Sequence, residues 1–413
     1  MDIDNFLPEF RKWQQQIAEK LQGQTKDLEN YNELAKCNIL LIGKTGVGKS
    51  TLINSIFRVN LAPEGAGKPV TGKLTRYEQK ECLIVAFDSR GLELTDGELN
   101  QYNTESNKRD VEALIEGSHK EFQNVTIDVI FYCINSNSER FEDVEEKWIT
   151  DLREKHNNIP IIIVLTRTIK QPELHDLFIA IKNGTAVKEE KLKSLIHCIT
   201  KTDEIIIDKN KIPLIPILAV EEKISEEYTS PKKNLELLVR QTASLLEKQA
   251  KQAFISEQVA SIDLKIQEAQ KLTAVYTSVT SLIALNPVVP VSGTILPAAQ
   301  LLFLKQISSI FGLKQEEQEL LLLSPEYQAL AAAILTTGAS TILTSLVPLV
   351  NSVNDALVAG TSTSLLCLAW IDTLKRYSLR LVDEKILTEE EIRKFIEIFA
   401  EEYQKYCDKT KYS

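Results

Sequence analysis

At 413 residues, with 43% hydrophobic and 26% charged positions, the chain has room for two or three folded domains with full-sized cores. Its formal net charge of −10 argues against nucleic-acid binding by bulk electrostatics and against a general pull toward anionic lipid, so no nucleic-acid partner is expected. The six cysteines (Cys37, Cys82, Cys133, Cys198, Cys367, Cys407) show no CxxC spacing and the four histidines form no cluster, which predicts free thiols rather than disulfides or a metal site. The acidic start, MDIDNFLPEF, reads as neither a secretory signal nor a myristoylation site, and CDKTKYS is not a prenylation box. The expected compartment is the cytoplasm.

In residues 1–36, Phe6, Phe10, Trp13, Ile17 and Leu21 recur three or four apart, the spacing of an amphipathic N-terminal helix. The period then changes. CNILLIG (37–43), ECLIVAFD (81–88), IDVIFYCIN (127–135), IPIIIVLT (159–166) and IPLIPILA (212–219) are short apolar runs rich in β-branched residues. Charged helical segments at 51–58, 105–120 and 141–155 lie between them. Strands apolar on both faces and alternating with helices predict an α/β domain over 37–236, a mostly parallel sheet covered by helices.

From 237 to 413 the strand signal disappears and an all-α domain is expected, with the boundary marked by the charged stretch EEKISEEYTSPKKN (221–234). Within it, LTEEEIRKFIEIFAEEY starts a helix: Thr388 and Glu391 fit a capping box, and Ile392, Phe395, Phe399 and Tyr403 share one face. The stretches 272–304 and 327–354 carry no charged residue. Either is long enough to cross a bilayer, but Pro287, Pro290, Gly293 and Pro297 break the first, and Thr and Ser dilute the second. Helices buried on every side are the ordinary expectation, with peripheral membrane contact as the alternative.

The chemistry is concentrated at GKTGVGKST, which follows the first strand and precedes a helix, the context a phosphate-binding loop requires. Gly43, Lys44, Thr45, Gly46, Val47 and Gly48 form the loop whose backbone N–H groups cradle phosphate oxygens. Lys49 neutralises the β/γ oxygens, Ser50 donates a ligand to Mg²⁺, and Thr51 continues into the helix whose N-terminus adds partial positive charge. DSRGLE follows another strand. It supplies Asp88 to face the metal, Gly91 to meet the γ-phosphate and Arg90 as a candidate for transition-state charge, although a solvated loop arginine is the plainer reading of Arg90. Between the two motifs, GAGKPVTGKLTRYE offers Thr71 as a closing metal ligand, with Thr75 as the alternative residue.

GKTGVGKSTLINSIF, GKPVT, DSRGLE and CINSNSERFEDVEEKWI resemble the TRAFAC-class P-loop GTPases, and more closely the dynamin-like and immunity-related group with its bacterial relatives. The apolar stretch ALNPVVPVSGTILPAAQLLFLKQISSIFGL and the helix preceding the motif domain add to that likeness. The resemblance implies a GTP-binding domain set on a helical domain built from both termini, GTP and Mg²⁺ as ligands, and nucleotide-driven homodimerisation through G domains or membrane work. It also places the base-reading loop in PIIIVLTRTIK. Thr166 and Arg167 stand where the family writes Asn/Thr-Lys, and Arg167 replaces the lysine that lies on the base. No Asp follows: the position is Ile169, or Gln171 if the frame slips. Ala219 keeps the backbone donor to the base oxygen. GTP with reduced selectivity is expected, with ATP or loose purine binding as the alternative. Leu92 stands in the place of the water-orienting Gln of Ras-like enzymes. Slow hydrolysis, faster when two G domains meet, is therefore expected, against a nucleotide-stabilised scaffold with little turnover.

Overall fold

A computed structural model describes residues 36–57, 61–62, 74–80, 82–89, 98–136, 143–168, 196–198, 212–223, 229–285, 295–334, 352–378 and 387–411. Residues 1–35, where the N-terminal helix is expected, lie outside the described residues. The chain separates into two compact units, and the first takes Ala35–Ser261.

That first unit is built on seven strands: β1 (Cys37–Ile42), β2 (Thr75–Glu78), β3 (Ile84–Asp88), β4 (Val129–Asn135), β5 (Ile161–Thr166), β6 (Ile196–Cys198) and β7 (Ile212–Pro216). They pair in the order β2-β3-β1-β4-β5-β7-β6, with every pair parallel except β2–β3. All five expected strands are present. β3, β4 and β5 are buried along nearly their whole length, as a parallel sheet covered on both faces demands. β2 alternates between half-buried and exposed residues, the pattern of an edge strand. A two-stranded pair, β8 (Glu222–Lys223) and β9 (Thr229–Ser230), lies outside the main sheet.

The helices α1 (Lys49–Ile56), α2 (Glu98–Ile115) and α3 (Asp143–Lys155) occupy the three charged segments between strands. Leu40, Phe87, Ile130, Trp148, Ile163 and Leu214 belong to one core, in which Tyr132 meets Trp148 edge to face with centroids 6.1 Å apart. The unit continues past the charged stretch 221–234 into α4 (Leu235–Leu245) and α5 (Lys248–Glu257).

The register aligns the carboxyl ends of the central strands: Leu41 pairs with Asp88, Ile42 with Tyr132, Asn135 with Thr166 and Leu165 with Pro216. From β1 the chain runs toward β3 on one side, and from β4 it runs toward β5 on the other. Adjacent strands that feed opposite ways leave a crevice beyond their carboxyl ends, and here it opens between β1 and β4. The phosphate loop follows β1 at this point.

The second unit begins at Ile262 and contains α6 (Ile262–Leu285), α7 (Ile295–Ile310), α8 (Gln315–Leu322), α9 (Pro325–Ala333), α10 (Ser352–Ser378) and α11 (Glu389–Lys411). The capping box forms at α11, where Thr388 N–H donates to Glu391 at 2.8 Å and Glu391 N–H to the Thr388 hydroxyl at 3.3 Å. Ile392, Phe395, Phe399 and Tyr403 are buried, as their shared face predicts. Trp370 of α10 is fully buried against Phe395 and Phe399, and its indole N–H donates to Ser308 at 2.9 Å. Polar groups also join the helices: Gln300 donates to Thr363 at 3.1 Å and Tyr276 to Gln306 at 2.5 Å. Among the described residues no helix is long and apolar enough to cross a membrane. The uncharged stretches 272–304 and 327–354 lie only partly within the described residues.

Candidate nucleoside-triphosphate site

The loop from Gly43 to Gly48 turns at three glycines with positive φ: Gly43 at 148°, Gly46 at 76° and Gly48 at 99°. Gly43 is the tightest of these. A side chain there would overlap the carbonyl oxygen of Cys133 in β4, so the loop crosses the end of β4 only because that residue has no Cβ. Gly48 is the N-cap of α1, and the first N–H groups of that helix have no intrahelical acceptor and face the loop. Thr45 and Gly46 are exposed while Val47 is buried, which leaves the loop's outer edge open to a ligand.

Lys49 is 7% exposed, and its ammonium donates to the carbonyls of Gly43 at 2.9 Å and Lys44 at 3.2 Å. The side chain therefore lies within the loop's own curve. Asp88, at the end of β3, places Oδ1 3.5 Å from Lys49 Nζ, an ion pair with slack rather than a tight charge-assisted bond. Burial raises the Asp88 carboxyl above its ordinary range, and the Lys49 charge pulls it back down. Among the described residues no donor bonds Asp88 Oδ1, and the neighbouring Ser89 hydroxyl is likewise buried without a partner. A buried carboxylate oxygen with no hydrogen bond, beside a lysine and the first turn of α1, fits a hard divalent cation. Ser50, in that first turn, is half-buried. Cys133 beneath the loop has its thiol pushed up to about 12 by burial, which leaves it protonated and unreactive at neutral pH.

At the end of β5, the Thr166 hydroxyl lies 2.5 Å from the carbonyl oxygen of Val47 and 3.1 Å from that of Ile134. Arg167 is exposed, with φ 56°, between the buried Thr166 and Thr168. Ala219 is buried beyond β7. The structure thus brings Lys49, Ser50 and Asp88 to one end of the sheet, with Thr166 and Arg167 on the adjoining loop. Thr71, Arg90, Gly91, Leu92, Ile169 and Gln171 lie outside the described residues.

Three supporting residues gave no signal in the sequence. Glu145 of α3, 3% exposed, is 3.7 Å from the Lys44 ammonium. Asn54 of α1 exchanges two hydrogen bonds with Ala62, at 2.7 and 3.0 Å. Ser136 donates to the Arg167 carbonyl at 3.0 Å. A Glu in a charged helix or a Ser after a strand reads as solvated surface until the tertiary partner is known.

Residues 38–167 match the family model of the 50S ribosome-binding GTPases. Septin-2 of Rattus norvegicus is 27% identical over 154 residues, covering 33% of this chain and 43% of its own. Septin-2 of Bos taurus is 39% identical over 56 residues, 14% of this chain and 16% of its own. The chain spans less than half the length of these curated relatives. Among solved structures, a probable GTP-binding protein engB is 21% identical over 51% of this chain and 98% of its own, with a TM-score of 0.30. Toc33 of Arabidopsis thaliana is 15% identical over 58% of this chain and 95% of its own, with a TM-score of 0.35. The family match ends at Arg167, in the loop after β5, and over that span the strand order and phosphate loop set out above are those of a P-loop GTPase fold.

Proposed function

We propose that the protein binds GTP with Mg²⁺ in the crevice between β1 and β4 and hydrolyses it slowly, with turnover rising when two G domains form a homodimer. The observation that carries this reading is the buried Lys49 ammonium, held by two carbonyls of its own loop and 3.5 Å from Asp88. A fixed cation beneath a ring of backbone N–H groups binds a triphosphate in one orientation. Lys49 then neutralises the β/γ oxygens. Ser50, Asp88 and Thr71 hold the metal, whose contribution is to offset charge on the transferred phosphoryl group. Gly91 offers its N–H to the γ-phosphate, Arg90 supplies charge in cis or to a partner, and Thr166, Arg167 and Ala219 face the base.

The finer assignment is to the dynamin-like and immunity-related group, with a helical domain that moves, assembles or touches a membrane according to nucleotide state, in the cytoplasm or peripherally on a membrane. One structural relation supports such coupling. α1 starts at the phosphate loop, and its last carbonyl, Ile56, accepts from Val259 N–H at 2.8 Å, shortly before the chain enters α6. Phe57 pairs with Gln258 and meets Phe254 edge to face at 5.6 Å, contacts that lie within the α/β unit.

Multiple-turnover phosphate release, run with GTP and ATP in parallel over about a hundredfold range of protein concentration, tests the reading through its mass-action dependence. Specific activity should rise with concentration and favour GTP. Flat activity together with a monomer by light scattering in a GTP analogue overturns the dimer, and tighter binding of ATP overturns the base assignment. A second reading, a nucleotide-stabilised scaffold with relaxed purine choice, is favoured by Leu92 and Ile169, which replace the water-orienting and guanine-reading side chains. It gives no phosphate release in that assay, while GTP still raises the unfolding temperature in a thermal scan.

A further inference from the structure

Arg167 has φ 56°, a left-handed conformation that is unfavourable for a residue with a Cβ and is usually left to Gly or Asn. Something must hold it there. The residue on its β5 side, Thr166, is fixed to the phosphate loop through Val47. The residue after it, Thr168, is buried, donates its N–H to the Ile217 carbonyl at 2.9 Å and its hydroxyl to Leu165 at 3.1 Å. Arg167 is the single outward step between two pinned neighbours. The remaining bonds to this step come from one residue on the adjacent strand end: Ser136 N–H donates to the Thr166 carbonyl at 2.9 Å, and its hydroxyl donates to the Arg167 carbonyl at 3.0 Å.

We propose that Ser136 is a positioning residue for base binding, which holds Arg167 in the turn from which its guanidinium covers one face of the purine base. The inference rests on the nucleotide site described under Proposed function. Its physical basis is the missing carboxylate. Without an Asp to accept from the guanine edge, hydrogen bonding contributes less to base recognition, and stacking of a planar cation on the π face contributes a larger share. A stacking contact depends on orientation, and the orientation of Arg167 is set by its backbone. Both Ser136 bonds fix that backbone, and neither touches the phosphate loop directly.

The test separates the base from the phosphates. Affinity for GTP and for inorganic tripolyphosphate is measured by calorimetry on wild type, Ser136→Ala, Ser136→Thr, Arg167→Ala and Ser136→Ala/Arg167→Ala. Ser136→Ala should weaken GTP about fivefold, the worth of one ordinary hydrogen bond, and leave tripolyphosphate unchanged. Ser136→Thr, which keeps the hydroxyl, should match wild type. In the Arg167→Ala background, Ser136→Ala should have no further effect. Equal weakening of both ligands, or no weakening of GTP, overturns the proposal. Wild type that binds ATP as tightly as GTP overturns the guanine reading instead. On ATP, whose base presents the same kind of face, Ser136→Ala should give a proportional loss of the same size, and a loss confined to GTP would overturn stacking as the route.

Discussion

The Thr166 hydroxyl and the Val47 carbonyl, 2.5 Å apart and buried, join the base-side loop to the phosphate loop. The hydroxyl has one proton for two acceptors, and the shorter contact to Val47 takes the larger share of it, with Ile134 at 3.1 Å the weaker arm. Thr166→Val keeps the shape and removes the donor, leaving a buried carbonyl without its partner at a cost of about 1–3 kcal/mol. Nucleotide affinity should fall about tenfold or more by that measure, and Thr166→Ser should restore it. A Thr166→Val protein that binds GTP as wild type does would show that the two loops hold their shapes independently.

Gly43 and Gly46 both have positive φ yet should respond differently to alanine. A Cβ on Gly43 overlaps the Cys133 backbone, which cannot swing away, whereas a Cβ on Gly46 meets nothing within 4 Å. Gly43→Ala should therefore cost about 2–4 kcal/mol in urea unfolding, from clash and backbone strain together. Gly46→Ala carries only the left-handed penalty of about 1–2 kcal/mol. Equal losses at the two positions would contradict the path of the loop over β4.

Asp88 gives a pH signature. Its folded carboxyl is raised by burial despite Lys49, so the native state keeps a proton that the unfolded chain releases near pH ~3.9. In the window between those two values unfolding releases a proton, and stability falls as pH rises. The contribution is present in full below the unfolded value and is lost above the folded one. Urea midpoints for the nucleotide-free protein, taken upward from about pH 4, should show this decline, and Asp88→Asn should remove it. An unchanged slope in Asp88→Asn would assign the titration to another group.

What the sequence made legible follows from how far each signal reaches along the chain. Strands β1, β3, β4, β5 and β7 are short runs apolar on both faces, told from buried helix by their length and their β-branched residues. The phosphate loop combines local glycine geometry with a flanking strand and helix, and so is readable from nine consecutive letters. By contrast, β6 and the β8–β9 pair span three and two residues per strand, too short for any period to register. The polar supports escaped for a different reason. Glu145, Asn54 and Ser136 act through partners 101, 8 and 31 positions away (145 − 44, 62 − 54, 167 − 136), and nothing beside them in the chain marks those partners. The strand-to-helix change near 237 records where the strands stop, while α4 and α5 still belong to the unit ending at Ser261.

In the second unit, Gly360 of α10 faces Ser281 of α6 so closely that a Cβ would overlap the Ser281 hydroxyl, with the Thr277 carbonyl 3.3 Å away. Gly360→Ala should destabilise by about 1–3 kcal/mol through overpacking. Ser281→Ala removes the atom in the way, so the double variant should recover part of the loss, the remainder reflecting the fixed Thr277 carbonyl. Strictly additive losses in thermal unfolding would mean that the two helices do not meet at these residues.

The last prediction concerns the membrane. α6 opens with Asp263, Lys265, Glu268 and Lys271, and its later turns use polar groups inward: Thr280 donates to Tyr276 at 3.0 Å and Thr273 to Ala269 at 2.9 Å, both hydroxyls buried. Gln300 of α7 is spent on Ser362 and Thr363 of α10. Helices whose polar side chains are satisfied against one another within a protein core gain little from exchanging that core for lipid. Among the described residues of this unit the exposed large apolar side chains are Leu320 and Leu323, 45% and 51% exposed and together at the end of α8, a small patch rather than a span. Any attachment should therefore be peripheral. The protein should purify without detergent, float weakly on liposomes when nucleotide-free, and float more with GTP or a non-hydrolysable analogue. Strong flotation that ignores nucleotide and resists alkaline carbonate would instead require helices of this unit to leave their packing and enter the bilayer.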